Sequence, residues 1–518
     1  MKKYLLLFVI AIFVMSCSKK VEIKGKIAGS SPLERIEFVE ASGVATLPLT
    51  NIGLDKDGNF TGTFEAPKDG MYLMNYAGKS NLIFLKGGQN INISGNSATF
   101  PNEFTVTGDG KADNEFYQAC QKFLMTYGQT IDIQTLSSGT EDAFLKGIQK
   151  ISADLNKNIE ENVKKFNPGK EVIEWKKNDV NTAILNVMAG YEMSKKQQNA
   201  GNPSFKVSKA FTDYENKLQE DKEKMVASSP FFRQYLLTKI SMDFQKFAEA
   251  KAKGKTDIST SELFNDFLKT KKDLSQTTKD YLLAFVIAQS DMHLGTPAKA
   301  SAKISEIIEK DIKDSSVKED LKKMQFAING VKIGEAAPDV KLTKQDGSAF
   351  KLSDNGGKPT VVMFYASWNP YIAEGTAPVV KEVVNFYKAK MNFVFVNLDD
   401  TKDQFTKTSK AMFTGVQGTN VYGEGGLNSD AAKKFGIYGF KLPCYIVLDK
   451  AGKVASRPYM NLGEPELVSI LDKQTGLSAP MAAPNPQQQQ QMLTPEQMQQ
   501  MQEMAAQQQQ QQQPAQTK

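Results

Sequence analysis

The period with which apolar residues recur changes along this chain, and each change marks a different kind of domain. Over residues 21–109, apolar and polar residues alternate in short runs, as at 21–27 and 90–93. Alternation with a period of two is typical of half-buried strands, so this part predicts an antiparallel β-sandwich. Over residues 110–330 the period becomes 3.6, as at 141–166, which predicts an all-α domain.

The third pattern, over residues 331–477, combines both periods. Apolar runs at 360–365 and 392–398 are separated by helical segments, and a hairpin over 445–457 follows. Fully apolar strands that alternate with helices are typical of a mixed α/β sheet covered on both faces. A chain of 518 residues is also too long for one hydrophobic core. The sequence therefore predicts three folded domains.

The C-terminal tail, residues 478–518, differs from all three domains. It consists of Pro, Ala and Met with glutamine runs at 487–491 and 507–513. A segment this polar cannot bury enough apolar surface to offset the conformational entropy that it would lose on ordering. The sequence therefore predicts that the tail is disordered. An alternative is a short helix over 495–508 that docks on a partner.

The N-terminus has the pattern of an export signal. Lys2 and Lys3 precede an apolar run over residues 4–15, which predicts a signal peptide at 1–16. Residues 14–17, Val-Met-Ser-Cys, resemble a bacterial lipobox, which implies lipidation of Cys17 and a short linker at 17–20. We expect an outer-membrane lipoprotein that faces the periplasm and is anchored in the membrane by its acyl chains, palmitate among them. Surface display, or an uncleaved anchor with a free Cys17, are the alternatives.

Composition excludes several function classes. The apolar runs are shorter than the roughly 18 residues of a membrane-spanning helix. A net charge of +6 over the whole chain is too small for a nucleic-acid-binding protein. One histidine and three cysteines leave little from which to build a metal site or a Cys/His catalytic centre, so no metal or cofactor is predicted. His293 is expected at a helix end and Cys120 in a helical core.

Six segments of the third domain resemble one family. They are residues 334–339, 364–368, 397–400, 435–437, 442–443 and 445–454. They resemble the thioredoxin-like fold of the alkyl-hydroperoxide-reductase/thiol-specific-antioxidant and membrane-anchored thiol-disulfide reductase type. In envelope lipoproteins of this kind a β-domain of unknown activity often precedes the thioredoxin-like domain, as the alternating segment does here.

The catalytic motif of that family is missing. In the family, the strand that ends in Ala-Ser-Trp runs into Cys-x-x-Cys at a helix N-terminus, where the first thiol ionises readily. Here Trp368 is followed by Asn369, Pro370, Tyr371 and Ile372, so both sulfurs are absent. We call these five residues the vestigial active site. Asn369 is expected to cap the helix, with Pro370 in its first turn.

A single thiol lies beside the second landmark of the family site. Leu442 and Pro443 match the family's cis-proline, and Cys444 follows directly. Cys444 could be reactive, forming a mixed disulfide, a sulfenate or a disulfide with Cys120. It could equally be a structural residue at the start of a buried strand.

These patterns lead to a preferred function and two alternatives. The preferred hypothesis is a redox-inactive module in which an exposed groove around Trp368, Tyr371 and Leu442-Pro443 binds an envelope protein, an extended peptide or another ligand. The alternative is an enzyme, a thiol-disulfide oxidoreductase or weak peroxidase that uses Cys444. A third possibility is that the other two domains carry the function and the thioredoxin-like domain is a spacer.

Overall fold

A computed structural model describes residues 19–479, except 200, 203, 254–257, 371 and 373–375. The predictions for the signal peptide, Cys17, Tyr371 and the tail from residue 480 onward therefore lie outside the described residues. Within the described ranges, no helix is both long and apolar enough to cross a membrane.

The N-terminal domain is the predicted sandwich. Its strands are β1 (Lys20–Ala28), β2 (Arg35–Glu40), β3 (Pro48–Gly53), β4 (Asn59–Glu65), β5 (Gly70–Tyr76), β6 (Lys79–Leu85), β7 (Asn90–Asn96) and β8 (Thr105–Gly108). They form two four-stranded sheets with strand orders β4-β1-β7-β8 and β3-β2-β5-β6. Val21, Ile23 and Ile27 of β1 alternate with exposed residues and lie in the core between the sheets, as the period of two requires.

One strand pair departs from the antiparallel expectation. Strands β1 and β7 pair in parallel, with Ile23 opposite Ile91. Between β1 and β7 the chain forms the four strands of the second sheet and also β4, which pairs with the other side of β1. Alternation reports which residues face the core but not the direction of a strand, so the sequence could not predict this pairing.

The central domain is helical, as predicted. Its helices are α1 (Lys111–Gly128), α2 (Ile133–Ser138), α3 (Glu141–Phe166), α4 (Lys170–Gln198), α5 (Lys209–Leu218), α6 (Lys222–Ser228), α7 (Pro230–Ala252), α8 (Thr260–Thr270), α9 (Gln276–Val286), α10 (Ala298–Lys310) and α11 (Ser315–Asn329). Several begin at a side-chain cap, for example at Thr140 and Ser259, whose hydroxyl oxygens accept backbone N–H bonds. Cys120 is buried where α1 packs on the sandwich, and His293 is exposed after the helical segment that follows α9.

The C-terminal domain has the predicted mixed α/β architecture. Its elements are β9 (Leu342–Lys344), β10 (Ala349–Phe350), β11 (Thr360–Tyr365), α12 (Thr376–Tyr387), β12 (Asn392–Asn397), α13 (Lys402–Phe413), β13 (Thr419–Tyr422), α14 (Asp430–Phe435), β14 (Cys444–Leu448) and α15 (Pro465–Thr475). The strand order is β10-β9-β13-β12-β11-β14. Strand β11 is parallel to β12 and antiparallel to β14. Separate apolar clusters cover the two faces of this sheet.

Two details of this domain differ from the sequence-based expectation. Strand β13 was not predicted, because only Val421 and Tyr422 of its four residues are buried. The second arm of the terminal hairpin is reduced to isolated bridges, such as Leu448 with Val454.

The sandwich contacts both of the other domains. In the loop between β2 and β3, the carbonyl oxygens of Ser42 and Gly43 accept hydrogen bonds from Arg233 of α7. On the other side, the side-chain amide of Asn428 in the C-terminal domain donates to the carbonyl oxygen of Asn51 in β3 at 3.1 Å. Hydrogen bonds therefore connect the sandwich to the helical domain on one side and to the C-terminal domain on the other.

Candidate functional site

The vestigial active site lies at the carboxyl end of β11. Trp368 and Asn369 follow this strand, and Pro443 precedes β14, which pairs with β11 through Phe364 and Cys444. The segment after β11 and the Leu442-Pro443 loop therefore meet at one edge of the sheet. Such an edge is where ligands bind in many α/β folds. The Leu442–Pro443 peptide bond is cis.

Asn369 joins the two halves of this site. Its side chain is buried, and Nδ2 donates a hydrogen bond to the carbonyl oxygen of Leu442 at 3.0 Å. Ile372 lies in a bend, and its N–H bonds to the carbonyl oxygen of Asn369. Helix α12 is described from Thr376, so the helix-capping role expected of Asn369 stays a prediction. Asparagine serves equally well as a cap or as a bridge between loops, so sequence alone did not distinguish these roles.

The position of the family's second cysteine is filled by an aliphatic side chain. Ile372 is 2% exposed and packs with Tyr365, Val380 and Val384 on the face of the sheet that α12 covers. Pro370, between the two positions, is exposed. Amide and hydrocarbon groups thus stand where the family has two thiols.

Cys444 is buried on the face of the sheet opposite Ile372. It is 0% exposed and belongs to the core formed with Phe364, Val396 and Ile446, whereas Ile372 lies in the other cluster. Burial raises the pKa of its thiol to about 11, and the nearby Lys441 opposes this rise in part. The thiol is therefore protonated at neutral pH and lies on the face of the sheet opposite Ile372, in the cluster against which Trp368 packs.

The two described cysteines are far from forming a pair. Both are free thiols, and Cys120 lies in a different apolar cluster, between α1 and the sandwich. Burial also raises the pKa of Cys120 to about 11. A disulfide between Cys444 and Cys120 is not formed in this structure, and neither thiol is exposed to a partner.

Lys441 is a buried cation that sequence analysis did not single out. It is 0% exposed, and its Nζ donates to the carbonyl oxygen of Gly436 at 3.0 Å. Burial lowers the pKa of this amine. Its contact ties the loop before Pro443 to the end of α14, and no sequence signal marks a lone lysine between Phe440 and Leu442 as buried.

Asp399 is a buried carboxylate that holds the segment before Trp368. Its Oδ1 accepts from the backbone N–H of Ser367 at 2.6 Å and from the Ser367 hydroxyl at 2.9 Å. Asn397 and Thr408 donate to the other oxygen at 2.8 and 3.0 Å. Both oxygens are hydrogen-bonded, so Asp399 positions the segment that leads to Trp368.

The sandwich covers Trp368. The guanidinium carbon of Arg35, at the start of β2, lies 4.4 Å from the centre of the Trp368 ring. Nη1 and Nη2 each donate to one oxygen of Asp400 at 2.7 Å, and Nε donates to Asn51. The side chain of Arg35 is only 7% exposed. Sequence analysis missed this contact because Arg35 and Asp400 are 365 positions apart and Arg35 lies in no motif.

A buried carboxyl group supports this contact from the sandwich side. Glu37 accepts a hydrogen bond at 2.6 Å from the side-chain amide of Asn51. Burial raises the pKa of Glu37, while the bond from Asn51 and the charge of Arg35 act in the opposite direction. Arg35, Glu37 and Asn51 form a hydrogen-bonded row on the face of β2 and β3 that is turned towards the C-terminal domain.

The expected exposed groove is therefore not open. Leu442 is 3% exposed, Pro443 is buried, and Arg35 lies against Trp368, which is half-buried. The sequence did not reveal that another domain covers these residues. Tyr371 lies outside the described residues.

A cavity of about 360 Å³ lies at the other end of the sheet. Thr360, the first residue of β11, lines it together with Leu448 and the exposed Lys351, Lys358 and Lys450. Because Asn369 follows the opposite end of β11, this cavity is separate from the vestigial site. No three His, Cys, Asp or Glu side chains among the described residues converge as a metal site requires.

Residues 333–457 match the model of the AhpC/TSA family. Two curated relatives are each named Thioredoxin-like protein HCF164, chloroplastic, from Arabidopsis thaliana and from Oryza sativa subsp. japonica, and both are 50% identical over 48 residues. The match covers 9% of this chain and 18% of each relative, so the chain spans less than a fifth of their length.

Two solved structures resemble the same region. One is the C-terminal domain of a protein provisionally titled a thiol-disulfide oxidoreductase from Bacteroides thetaiotaomicron, at 28% identity, covering 28% of this chain and 97% of that one, with a TM-score of 0.25. The other is the thioredoxin domain of a thiol-disulfide oxidoreductase from Bacteroides vulgatus, at 18% identity, covering 28% and 99%, with a TM-score of 0.25. The C-terminal domain is a thioredoxin-like redoxin domain, as the sequence motifs predicted.

Proposed function

We propose that this chain is an envelope lipoprotein whose thioredoxin-like domain does not exchange disulfides and instead serves as a binding module. The observation that carries this proposal is the pair of residues at the former sulfur positions. Asn369 uses its amide to bond the Leu442 carbonyl, and Ile372 packs in the core. Neither side chain can form a covalent bond to a substrate sulfur.

Thiol-disulfide exchange requires a thiolate that reaches the substrate sulfur. Cys444 is 0% exposed, burial keeps its pKa raised, and its side chain lies on the face of the sheet opposite Ile372. A peroxidase has the same requirement for an accessible thiolate. These features weigh against the alternative of an oxidoreductase or weak peroxidase that uses Cys444.

A binding role suits what remains at the site. The face retains an aromatic ring, Trp368, and a carboxylate, Asp400, and both already bind the Arg35 side chain of the sandwich. Tryptophan, tyrosine and arginine side chains contribute most of the binding energy at protein interfaces. The ligand class that we propose is an envelope protein or an extended peptide.

Activity assays on purified protein test this proposal. Insulin-disulfide reduction and peroxide consumption would be measured for the wild type and for Cys444→Ser. We expect both proteins to match the uncatalysed rate in both assays. Wild-type activity that disappears in Cys444→Ser would overturn the proposal in favour of the enzymatic alternative.

We also propose that Cys17 anchors the protein to the outer membrane, with the folded domains in the periplasm. The support is the lipobox-like segment 14–17 behind a signal-like apolar run. Metabolic labelling with palmitate, membrane fractionation and proteolysis of intact cells would test it. We expect Cys17→Ser to lose the label and leave the membrane fraction, and intact cells to protect the wild type. Labelled Cys17→Ser protein would refute the anchor, and digestion in intact cells would refute the periplasmic orientation.

A further inference from the structure

Trp368 and Asp400 together form a site that fits a guanidinium group. The guanidinium carbon of Arg35 lies over the ring of Trp368, 4.4 Å from its centre. Both oxygens of Asp400 accept hydrogen bonds along one edge, each at 2.7 Å. A flat cation with a fork of donors can contact the ring and bond both carboxylate oxygens in parallel, whereas an ammonium group has no planar fork for the paired bonds.

The backbone around Asp400 leaves room for this contact. A Cβ atom on Gly53 would lie 2.3 Å from Oδ2 of Asp400 and 2.9 Å from Nη1 of Arg35. A Cβ atom on Gly426, which has a φ of +60°, would lie 3.4 Å from the other carboxylate oxygen. Glycine at residue 53 therefore lets the strand end approach the ion pair, and the site is shaped from both domains.

The third side of the guanidinium is also occupied. Nε donates to the side-chain oxygen of Asn51, and the Asn51 amide in turn donates to Glu37 at 2.6 Å. Arg35 is thus contacted on its face and on two edges, and its side chain is 7% exposed against 34% for Asp400. The cation, rather than the carboxylate, is the buried member of the pair.

We propose that Trp368 and Asp400 form a guanidinium-binding site whose resident ligand is Arg35, so that the chain's own sandwich domain occupies the vestigial active-site face. This inference rests on the proposed function, because a working redox site would need the same face open to its substrate. It names the ligand class of the module as an arginine side chain on an extended strand.

The environment of Trp368 tests this inference. The chain has two tryptophans, so a Trp175→Phe background leaves Trp368 as the single reporter. In that background we expect Arg35→Ala to shift the emission of Trp368 to the red and to increase its quenching by acrylamide. Arg35→Lys is expected to behave like Arg35→Ala, because lysine lacks the planar fork.

Arg457 provides a matched control. Its guanidinium lies 4.0 Å from the centre of the Tyr459 ring and pairs with Glu466 at 2.9 Å, within the C-terminal domain. Arg457→Ala removes the same kinds of contact without touching Trp368, so emission and quenching should stay at the values of the background protein.

Chemical rescue distinguishes a guanidinium site from general loosening. Ethylguanidinium, at concentrations on the order of 10 mM, should reverse the increased quenching in Arg35→Ala, whereas ethylammonium at equal concentration should not. Equal effects of the two cations, or unchanged Trp368 quenching in Arg35→Ala, would overturn the inference. If circular dichroism shows that Arg35→Ala is unfolded, Asp400→Asn replaces it, with increased quenching expected and unchanged quenching contradicting the inference.

The redox assays test the proposed function, and the Trp368 measurements test the guanidinium site. Catalytic activity of the wild type would refute the proposed function whatever Trp368 reports. Unchanged Trp368 quenching in an inactive protein would refute only the guanidinium site.

Discussion

The side-chain amide of Asn369 donates a hydrogen bond to the carbonyl oxygen of Leu442 at 3.0 Å, across the place where this fold ordinarily carries a pair of thiols. The bond links the segment after β11 to the loop before β14, and Asn369 is only 5% exposed. A position used for chemistry in the family thus has a structural role here.

Asn369→Ala should destabilise the C-terminal domain. The substitution leaves the carbonyl of Leu442 without this donor in a buried place, which costs about 1–3 kcal/mol. Urea unfolding followed by far-UV circular dichroism would measure it. Asn385→Ala is the control, since Asn385 is exposed on α12 and should change the free energy of unfolding by less than about 0.5 kcal/mol. Equal effects of the two variants would show that the Asn369 bond contributes nothing.

The buried thiol of Cys444 should make stability fall at alkaline pH. Burial raises the pKa of Cys444 from 9.0 to about 11 in the folded protein. Between these values the unfolded chain binds fewer protons than the folded one, so the free energy of unfolding decreases as pH rises. Cys444→Ala should remove up to about 2–3 kcal/mol of this decrease. Urea unfolding at pH 8 and pH 11 would measure it, and identical pH dependence in both proteins would contradict the prediction.

Arg233 should be essential to the contact between the sandwich and the helical domain. It is 0% exposed and donates to the carbonyl oxygens of Val226 at 2.8 Å, Gly43 at 3.1 Å and Ala227 at 3.0 Å. Arg233→Met leaves these buried carbonyls without their donor. Thermal or urea unfolding should show a loss of about 1–3 kcal/mol for each carbonyl that finds no other donor. Arg233→Lys should not restore stability, because an ammonium group cannot bond to all of these carbonyls.

The control for Arg233 is an exposed arginine. Arg457, whose side chain is 36% exposed, pairs with Glu466, and Arg457→Ala should cost less than about 1 kcal/mol. A loss in Arg233→Met no larger than that of Arg457→Ala would refute the role of the buried guanidinium.

Glu37→Gln should stabilise the protein at neutral pH. Burial raises the pKa of Glu37 in the folded state, so its favourable contribution is present below the unfolded pKa of about 4.3 and is lost as pH rises through the folded value. A neutral amide keeps an acceptor for Asn51 without a buried charge. Thermal melting at pH 4 and pH 7 should show a gain only at pH 7. Glu65→Gln, on the exposed side of β4, should show none, and a lower melting temperature of Glu37→Gln at pH 7 would contradict the prediction.

The parts of the fold that depend on local pattern could be predicted from sequence. Residues 21–27 alternate because one face of β1 is buried, and the apolar run of β11 reflects burial on both faces. The sequence does not predict strand β13, because this short strand lies next to β9 and β10 at the edge of the sheet and needs few apolar residues there. The sequence does not predict that β7 runs parallel to β1, because strand direction depends on the path of the chain between distant strands.

The residues of the vestigial active site could be predicted from sequence, but the contacts that the sandwich makes with them could not. Sequence motifs placed Trp368, Asn369 and Pro443 together because the fold brings them to one edge of the sheet. The contact of Arg35 with Trp368 and Asp400 depends on how two domains pack, and neither partner carries a local signal of it. Likewise, the inward orientation of Cys444 follows from the register of β14 against β11.

The central claim is that the domain is inactive because both active-site cysteines are missing. Its most direct test is to introduce cysteines at these two positions. Asn369→Cys combined with Ile372→Cys restores the family's spacing at positions that are 5% and 2% exposed. Insulin-disulfide reduction with dithiothreitol as the electron donor would be compared between this double variant and the wild type, after thermal melting has shown that both are folded. We predict that the wild type matches the uncatalysed rate. The double variant should exceed that rate only when Arg35→Ala is added, because the Arg35 side chain otherwise lies over Trp368 beside the restored pair. Reduction by the wild type at the rate of this triple variant, lost in Cys444→Ala, would contradict the account.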